Sequence, residues 1–222
     1  MNTSSAPPRR PYLGRGATVK RCESCFLRTD KCICELRSSV SASVEFCLLT
    51  HNDEIYKPSN TGRLIRGSIN ATRCFIWHRT EVDPELLELI ENSEVNTYIV
   101  FPPGDDYLER MTEYKSEPDK RNVFIVLDGT WRQARRMFRL SAYLQNVPLI
   151  SLQNAPASRY GLRKTEEVSQ LCTAEVAIEL LAEIGDQIAS KHLRNYFEVF
   201  TRRYSETRSQ KIDLSASGNR AI

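Results

Sequence analysis

An α/β fold is what this sequence predicts: a mostly parallel sheet with helices on both faces, and a small cysteine-rich module in front of it. Three observations carry that expectation. Short apolar runs alternate with stretches whose apolar residues recur every three to four positions, as in strands joined by crossover helices. Four of the seven cysteines crowd into residues 22–34. The chain has 222 residues, 41% of them hydrophobic and 27% charged, which suits one domain with a sizeable core and excludes wholesale disorder.

The elements follow in order. Residues 1–20 form a basic, Pro-rich tail, expected to be flexible, with Arg9, Arg10, Arg15 and Lys20 and no acid. Residues 21–40 hold Cys22, Cys25, Cys32 and Cys34 in the spacing C-x2-C-x6-C-x-C. Two close pairs of thiolates suit a tetrahedral structural zinc site with no open position. An iron–sulfur cluster would use the same ligands, although the spacing follows neither ferredoxin pattern, and free thiols are the bland alternative. The catalytic domain is expected over 41–206, with strands at 44–50, 73–78, 97–101, 123–127 and 147–151. Helices are expected at 84–91, where Asp83 caps and Pro84 opens the first turn, and at 129–140 and 166–184. Cys47, Cys74 and Cys172 sit among apolar neighbours and read as core. A flexible tail is expected over 207–222. No apolar run approaches the roughly 20 residues needed to cross a bilayer, and the N-terminus lacks the apolar stretch of an export signal. The cytoplasm is therefore the expected compartment.

In open α/β sheets, ligands bind beyond the carboxyl ends of the strands. Polar clusters do follow the strands here: 51–54 and 57–63 after the first, 102–106 after the third, 128–131 after the fourth and 154–161 after the fifth. None is a Walker loop or a GxGxxG turn, which disfavours ordinary nucleotide enzymes. Asp128 ends the strand VFIVL. It reads either as a cap on the following helix, through the amides of Thr130 and Trp131, or as a carboxylate aimed into the cleft. In that helix Arg132, Arg135, Arg136 and Arg139 fall on one stripe with no interleaved glutamate, an arrangement suited to phosphate. Trp131 and Tyr160 could each stack on a base or simply pack. Glu175 lies in an apolar helix and needs a partner or a cap. Asn60, Thr61 and Arg63 open a helix, with capping explaining the first two and Arg63 left as a phosphate contact. His51 reads as a hydrogen-bonded loop residue.

Taken together, Asp128-Gly129-Thr130-Trp131 resembles the D-x-T-W signature of the DTW-domain family, the tRNA-uridine aminocarboxypropyltransferases. The likeness runs from about residue 22 to about residue 184. It includes the paired cysteines, THNDE (50–54), KPSNTGRL (57–64), FPPGDD (101–106), SRYGLRK (158–164) and LCTAE (171–175). One departure is visible: members often carry His-Pro where this chain has His51-Asn52, which leaves the role of His51 open.

The resemblance implies a fold related to the knotted SPOUT-type methyltransferases, with a C-terminal knot and a zinc site on the four cysteines. It implies transfer of the 3-amino-3-carboxypropyl group of S-adenosylmethionine to N3 of a tRNA uridine, with the variable loop as the expected position and methylthioadenosine as the other product. The residues expected around the donor are Pro102, Gly104, Asp128, Gly129, Thr130, Trp131, Ser158, Tyr160, Thr173 and Glu175. Asp128 or Glu175 would take the ammonium of the donor. Its carboxylate would go to Ser158, Arg159, Arg163 or the amides after Asp128. Asp128 is the expected base for the uridine proton. Arg63, Arg132, Arg135, Arg136, Arg139, Arg159, Arg163 and Lys164 are the expected RNA contacts. Two other classes stay open: an RNA methyltransferase on the same scaffold, and a zinc-containing RNA-binding protein without catalysis. The oligomeric state is not legible.

Overall fold

A computed structural model describes residues 19–117, 119–153, 158 and 171–216, with side chains described up to Thr207. Five strands form one sheet: β1 (Glu45–Thr50), β2 (Thr72–Ile76), β3 (Val95–Val100), β4 (Arg121–Asp128) and β5 (Leu149–Ile150). Their spatial order is β2-β1-β4-β3-β5, and every pairing is parallel. All five lie where alternating apolar runs placed them, shifted by a few residues at their ends. The central strand is the most deeply covered, with Asn122–Asp128 all buried.

Strand alternation sends side chains to two separate cores. Phe46, Leu48, Phe124 and Val126 face α1 (Gly62–Ser68), α4 (Thr173–Glu183) and α5 (Gln187–Ala216). Cys47, Leu49, Ile125 and Leu127 face α2 (Pro84–Glu91) and α3 (Trp131–Leu140). Cys25, Leu27 and Ile33 are fully inside the first core, so the four-cysteine segment is a buttress of the sheet domain and not a pendant. Lys31 reinforces this with a 2.8 Å ion pair to Glu206 of α5.

Three helices differ from the sequence expectation, two in where they start and one in its existence. Helix α3 starts at Trp131, two residues later than 129, because Thr130 forms a capping box with Gln133. Helix α4 starts at Thr173, not 166: Leu171 and Cys172 are non-helical, and Cys172 occupies the cap position. Residues 166–170 of that expected helix lie outside the described residues. The largest omission is α5, thirty residues long, for which no helix was expected. It continues to Ala216, past position 206 where the catalytic domain was expected to end. The expected C-terminal knot depends on the path after β5, and 154–157 and 159–170 lie outside the described residues. The basic tail over 1–18 does too.

Candidate active site at the carboxyl ends of β1 and β4

The chain leaves β1 toward β2 and leaves β4 toward β5, on opposite sides, so β1 and β4 flank the topological switch point of the sheet. Their last residues, Thr50 and Asp128, are in register as partners. Both side chains follow Leu48 and Val126 by two positions and therefore point to the α1/α4 face. That register alone brings a hydroxyl and a carboxylate together: Thr50 Oγ1 donates to Asp128 Oδ2 at 3.1 Å.

Two further elements complete the arrangement. Asn60, just before α1, places its Nδ2 between the carboxylate oxygens, at 2.9 Å from Oδ1 and 2.8 Å from Oδ2. Thr173, the first residue of α4, donates from Oγ1 to Oδ1 at 2.8 Å. Each oxygen thus accepts two hydrogen bonds, and Asp128 is only 2% exposed. Burial pushes its pKa up, opposed by the Asn60 and Thr173 hydrogen bonds and assisted by the negative charge of nearby Glu54. Glu54 is itself fully buried and held by the Lys57 ammonium at 2.6 Å. Gly62 permits the close approach of α1, since a Cβ there would fall 2.6 Å from Asp128 Oδ2.

Beside this cluster lies a second one. Glu175 is buried, and its Oε2 accepts from the Cys172 amide at 2.9 Å, closing the capping box of α4. The same oxygen accepts from Ser158 Oγ at 2.7 Å. The Ala174 amide donates to Thr61 Oγ1 at 3.2 Å, which joins the start of α4 to that of α1. So Asp128, Ser158, Thr173 and Glu175, expected to share a site, are brought to one corner of the molecule.

Of the two readings of Asp128, the cap does not hold. Helix α3 packs on the opposite face of the sheet, and its cap is Thr130, whose Oγ1 accepts from the Gln133 amide at 3.3 Å. The Thr130 amide is likewise committed, at 2.8 Å to Gln133 Oε1, and is not left over for a donor carboxylate. Trp131 stacks on Phe101 at 5.5 Å and carries Arg135 over its ring at 5.7 Å, the packing alternative of the two expected for it. Pro102 is exposed, and Gly104 lies where the Tyr107 ring crosses the backbone, a Cβ there coming 2.5 Å from its hydroxyl. His51 also belongs to the α3 face: it stacks on Trp77 at 5.4 Å, and its Nδ1 accepts from the Asp53 amide at 3.2 Å.

On that face Arg132, Arg135, Arg136 and Arg139 are all exposed, as the stripe predicted. With Tyr107 and Phe138 they line a groove of about 650 Å³. Among the described residues none of the four arginines forms an ion pair with a carboxylate. Arg63 is different. It turns inward and donates to the carbonyls of Asn60 at 3.1 Å and Lys57 at 2.6 Å. Arg159, Tyr160, Arg163 and Lys164 lie outside the described residues.

Thr50, Asn60 and Glu54 are the participants that sequence reasoning did not assign to the site. The signal for Thr50 was its place at a strand end two residues after a core leucine. For Asn60 and Glu54 the sequence held only their presence in polar segments after the first strand.

The cysteine segment has the geometry its spacing implies. Cys22 and Cys34 sulfurs are 3.6 Å apart and those of Cys25 and Cys32 are 3.8 Å apart, with all four within 4.8 Å of one another. A tetrahedral zinc–thiolate centre with bonds of about 2.3 Å sets sulfurs about 3.8 Å apart, so the donor set fits zinc. The Cys25 amide directed at the Cys22 sulfur lowers that thiol to about 6, whereas burial pushes Cys25 and Cys34 up.

The tRNA-uridine aminocarboxypropyltransferase 2 of Drosophila melanogaster is 22% identical over 191 residues, covering 82% of this chain and 70% of that protein. The protein of the same name from Macaca fascicularis is 23% identical over 168 residues, and here 72% of this chain aligns with 55% of the relative. No solved structure matches the chain. The DTW domain matches residues 19–205, from the cysteine segment to well inside α5, and the chain therefore belongs to the DTW domain family.

Proposed function

We propose that the protein is a tRNA-uridine aminocarboxypropyltransferase, moving the 3-amino-3-carboxypropyl group of S-adenosylmethionine to N3 of a uridine in the variable loop. The observation that carries this reading is the Asp128 cluster at the switch point of a parallel sheet, in a chain whose relatives bear that enzyme's name. Attack by N3 forms the N–C bond as the C–S bond breaks. The electron pair returns to the sulfonium, and methylthioadenosine leaves. Which sulfonium carbon reacts is decided by which one faces the nucleophile, a matter of orientation.

The uridine N3 proton must be removed for attack. Asp128 is the proposed acceptor: burial and the nearby Glu54 charge raise its proton affinity above that of an ordinary carboxylate. Since its acceptor positions are filled, substrate must displace the hydroxyl of Thr50 or Thr173 to reach it. The Glu175–Ser158 pair would hold the polar end of the amino acid arm, and Gly129, Pro102 and Gly104 would line the donor site. The arginine stripe of α3 would hold tRNA phosphates. The four cysteines would hold zinc in a closed, structural role, in keeping with a reducing cytoplasm. Among the described residues no helix is long and apolar enough to cross a membrane.

The deciding experiment incubates the protein with S-adenosylmethionine and an unmodified tRNA transcript, followed by nucleoside mass spectrometry. A uridine heavier by one aminocarboxypropyl group is expected. A methylated nucleoside, or no product alongside tight tRNA binding, would overturn the reading in favour of a methyltransferase or a binding protein.

A further inference from the structure

Phe26 directly follows the second cysteine of the C-x2-C pair, and it adopts a φ of +58°. A bulky side chain rarely takes that conformation, and glycine is the residue a left-handed turn favours. The ring must therefore supply something glycine cannot. It lies under the guanidinium of Arg63, 4.1 Å from ring centroid to Cζ, and meets Tyr56 edge-on at 6.1 Å. Arg63 in turn gathers three carbonyls of one loop: Lys57 at 2.6 Å, Asn60 at 3.1 Å and Ile55 at 3.5 Å. A planar fork can do this, whereas a lysine ammonium presents one point. The loop so held ends at Asn60, the residue whose amide spans both oxygens of Asp128.

We propose that Arg63 is a positioning residue for the Asp128 site, and that the four-cysteine module locks it in place through the ring of Phe26. The module is then more than a fold buttress. It sets the curl of 55–60, and through Asn60 it sets the orientation of the carboxylate. The activity arm of the test rests on the transferase reading, and the conformational arm does not.

Hydrogen exchange on the full zinc-loaded chain reads the loop directly. In Arg63→Lys, peptides covering 52–62 should exchange about tenfold faster while those of α2 and α3 are unchanged. Phe26→Leu should give a smaller increase at the same place, and so should chelation of the metal in the wild-type chain. In single-turnover assays Arg63→Lys should slow tRNA modification by about tenfold with tRNA affinity within about twofold of wild type. If exchange over 52–62 is unaltered in both variants, the proposal is overturned whatever the activity. Unaltered exchange with weakened, less salt-dependent tRNA binding would return Arg63 to a phosphate contact. Should the wild-type protein prove inactive while the loop responds as stated, the transferase reading fails and the positioning role stands. If Arg63→Lys does not fold, Phe26→Leu and chelation carry the same test.

Discussion

The two faces of the sheet treat polar groups in opposite ways at the same end of the same strands. On the α1/α4 face, Asp128 has both oxygens fully engaged by Thr50, Asn60 and Thr173, and Glu175 is shared between Ser158 and a backbone amide. On the α3 face, four guanidiniums stand in a groove with no carboxylate partner among the described residues. The first region is complete without a ligand, as a preorganised interior must be, because unpaired buried groups are costly. The second carries an excess of positive charge, with Asp106 as the carboxylate in its lining, and so suits an added anion. Under the proposed function, chemistry and adhesion would be divided between the two faces, and each could be broken without the other.

The strongest blow to the interior is Asp128→Ala, which leaves an amide and two hydroxyls facing an empty space. A loss on the order of 3 kcal/mol is expected in urea denaturation, from buried polar groups left unpaired at about 1–3 kcal/mol each, together with loss of modification activity. An unchanged midpoint would mean the cluster contributes nothing. Converting Arg132, Arg135, Arg136 and Arg139 to Gln should do the reverse. Stability should hold within roughly 0.5 kcal/mol, whereas tRNA affinity should fall by about 10²-fold and the slope of log K against log salt should flatten by about 3. A quadruple variant that binds tRNA normally would remove the phosphate role. Ser158→Ala should cost about 1 kcal/mol, because Glu175 keeps its bond to the Cys172 amide; a thermal melt reads it.

The smallest effect concerns His51, on the α3 face, where burial holds the pKa below its ordinary value despite nearby Asp53 and Glu54. The unfolded chain then takes up this proton at higher pH than the folded one. The histidine's contribution is present above the ordinary histidine pKa and is lost as pH falls through it toward the lowered value. His51→Asn should flatten the stability profile between about pH 7 and pH 5. An identical profile in the variant would exclude it.

Much of this division was legible in the chain. Strands were marked by apolar runs, the arginine stripe by helical spacing, and the four-cysteine cluster by its pairing. The face taken by Asp128 was legible as well, since alternation from Val126 puts its side chain away from α3. Helix α5 was also within reach: Ala189, Leu193, Phe197 and Phe200 recur at three-to-four spacing and are all buried, inside the span expected for the catalytic domain. What no local pattern encodes is the meeting of Thr50 with Asp128, which arises from parallel register between strands some seventy residues apart. The engagement of Arg63 was hidden for a related reason. Its partners are backbone carbonyls that converge only once the loop before it has curled.

Gly62 carries a consequence for how this corner of the protein can vary. Helix and strand meet there with only a hydrogen atom's width between the peptide backbone and a carboxylate. The position is closed to every other residue, alanine included, unless the helix retreats and takes Asn60 with it. A saturation library should accordingly return glycine alone at this site, even from a screen for solubility that never asks the protein to act on RNA.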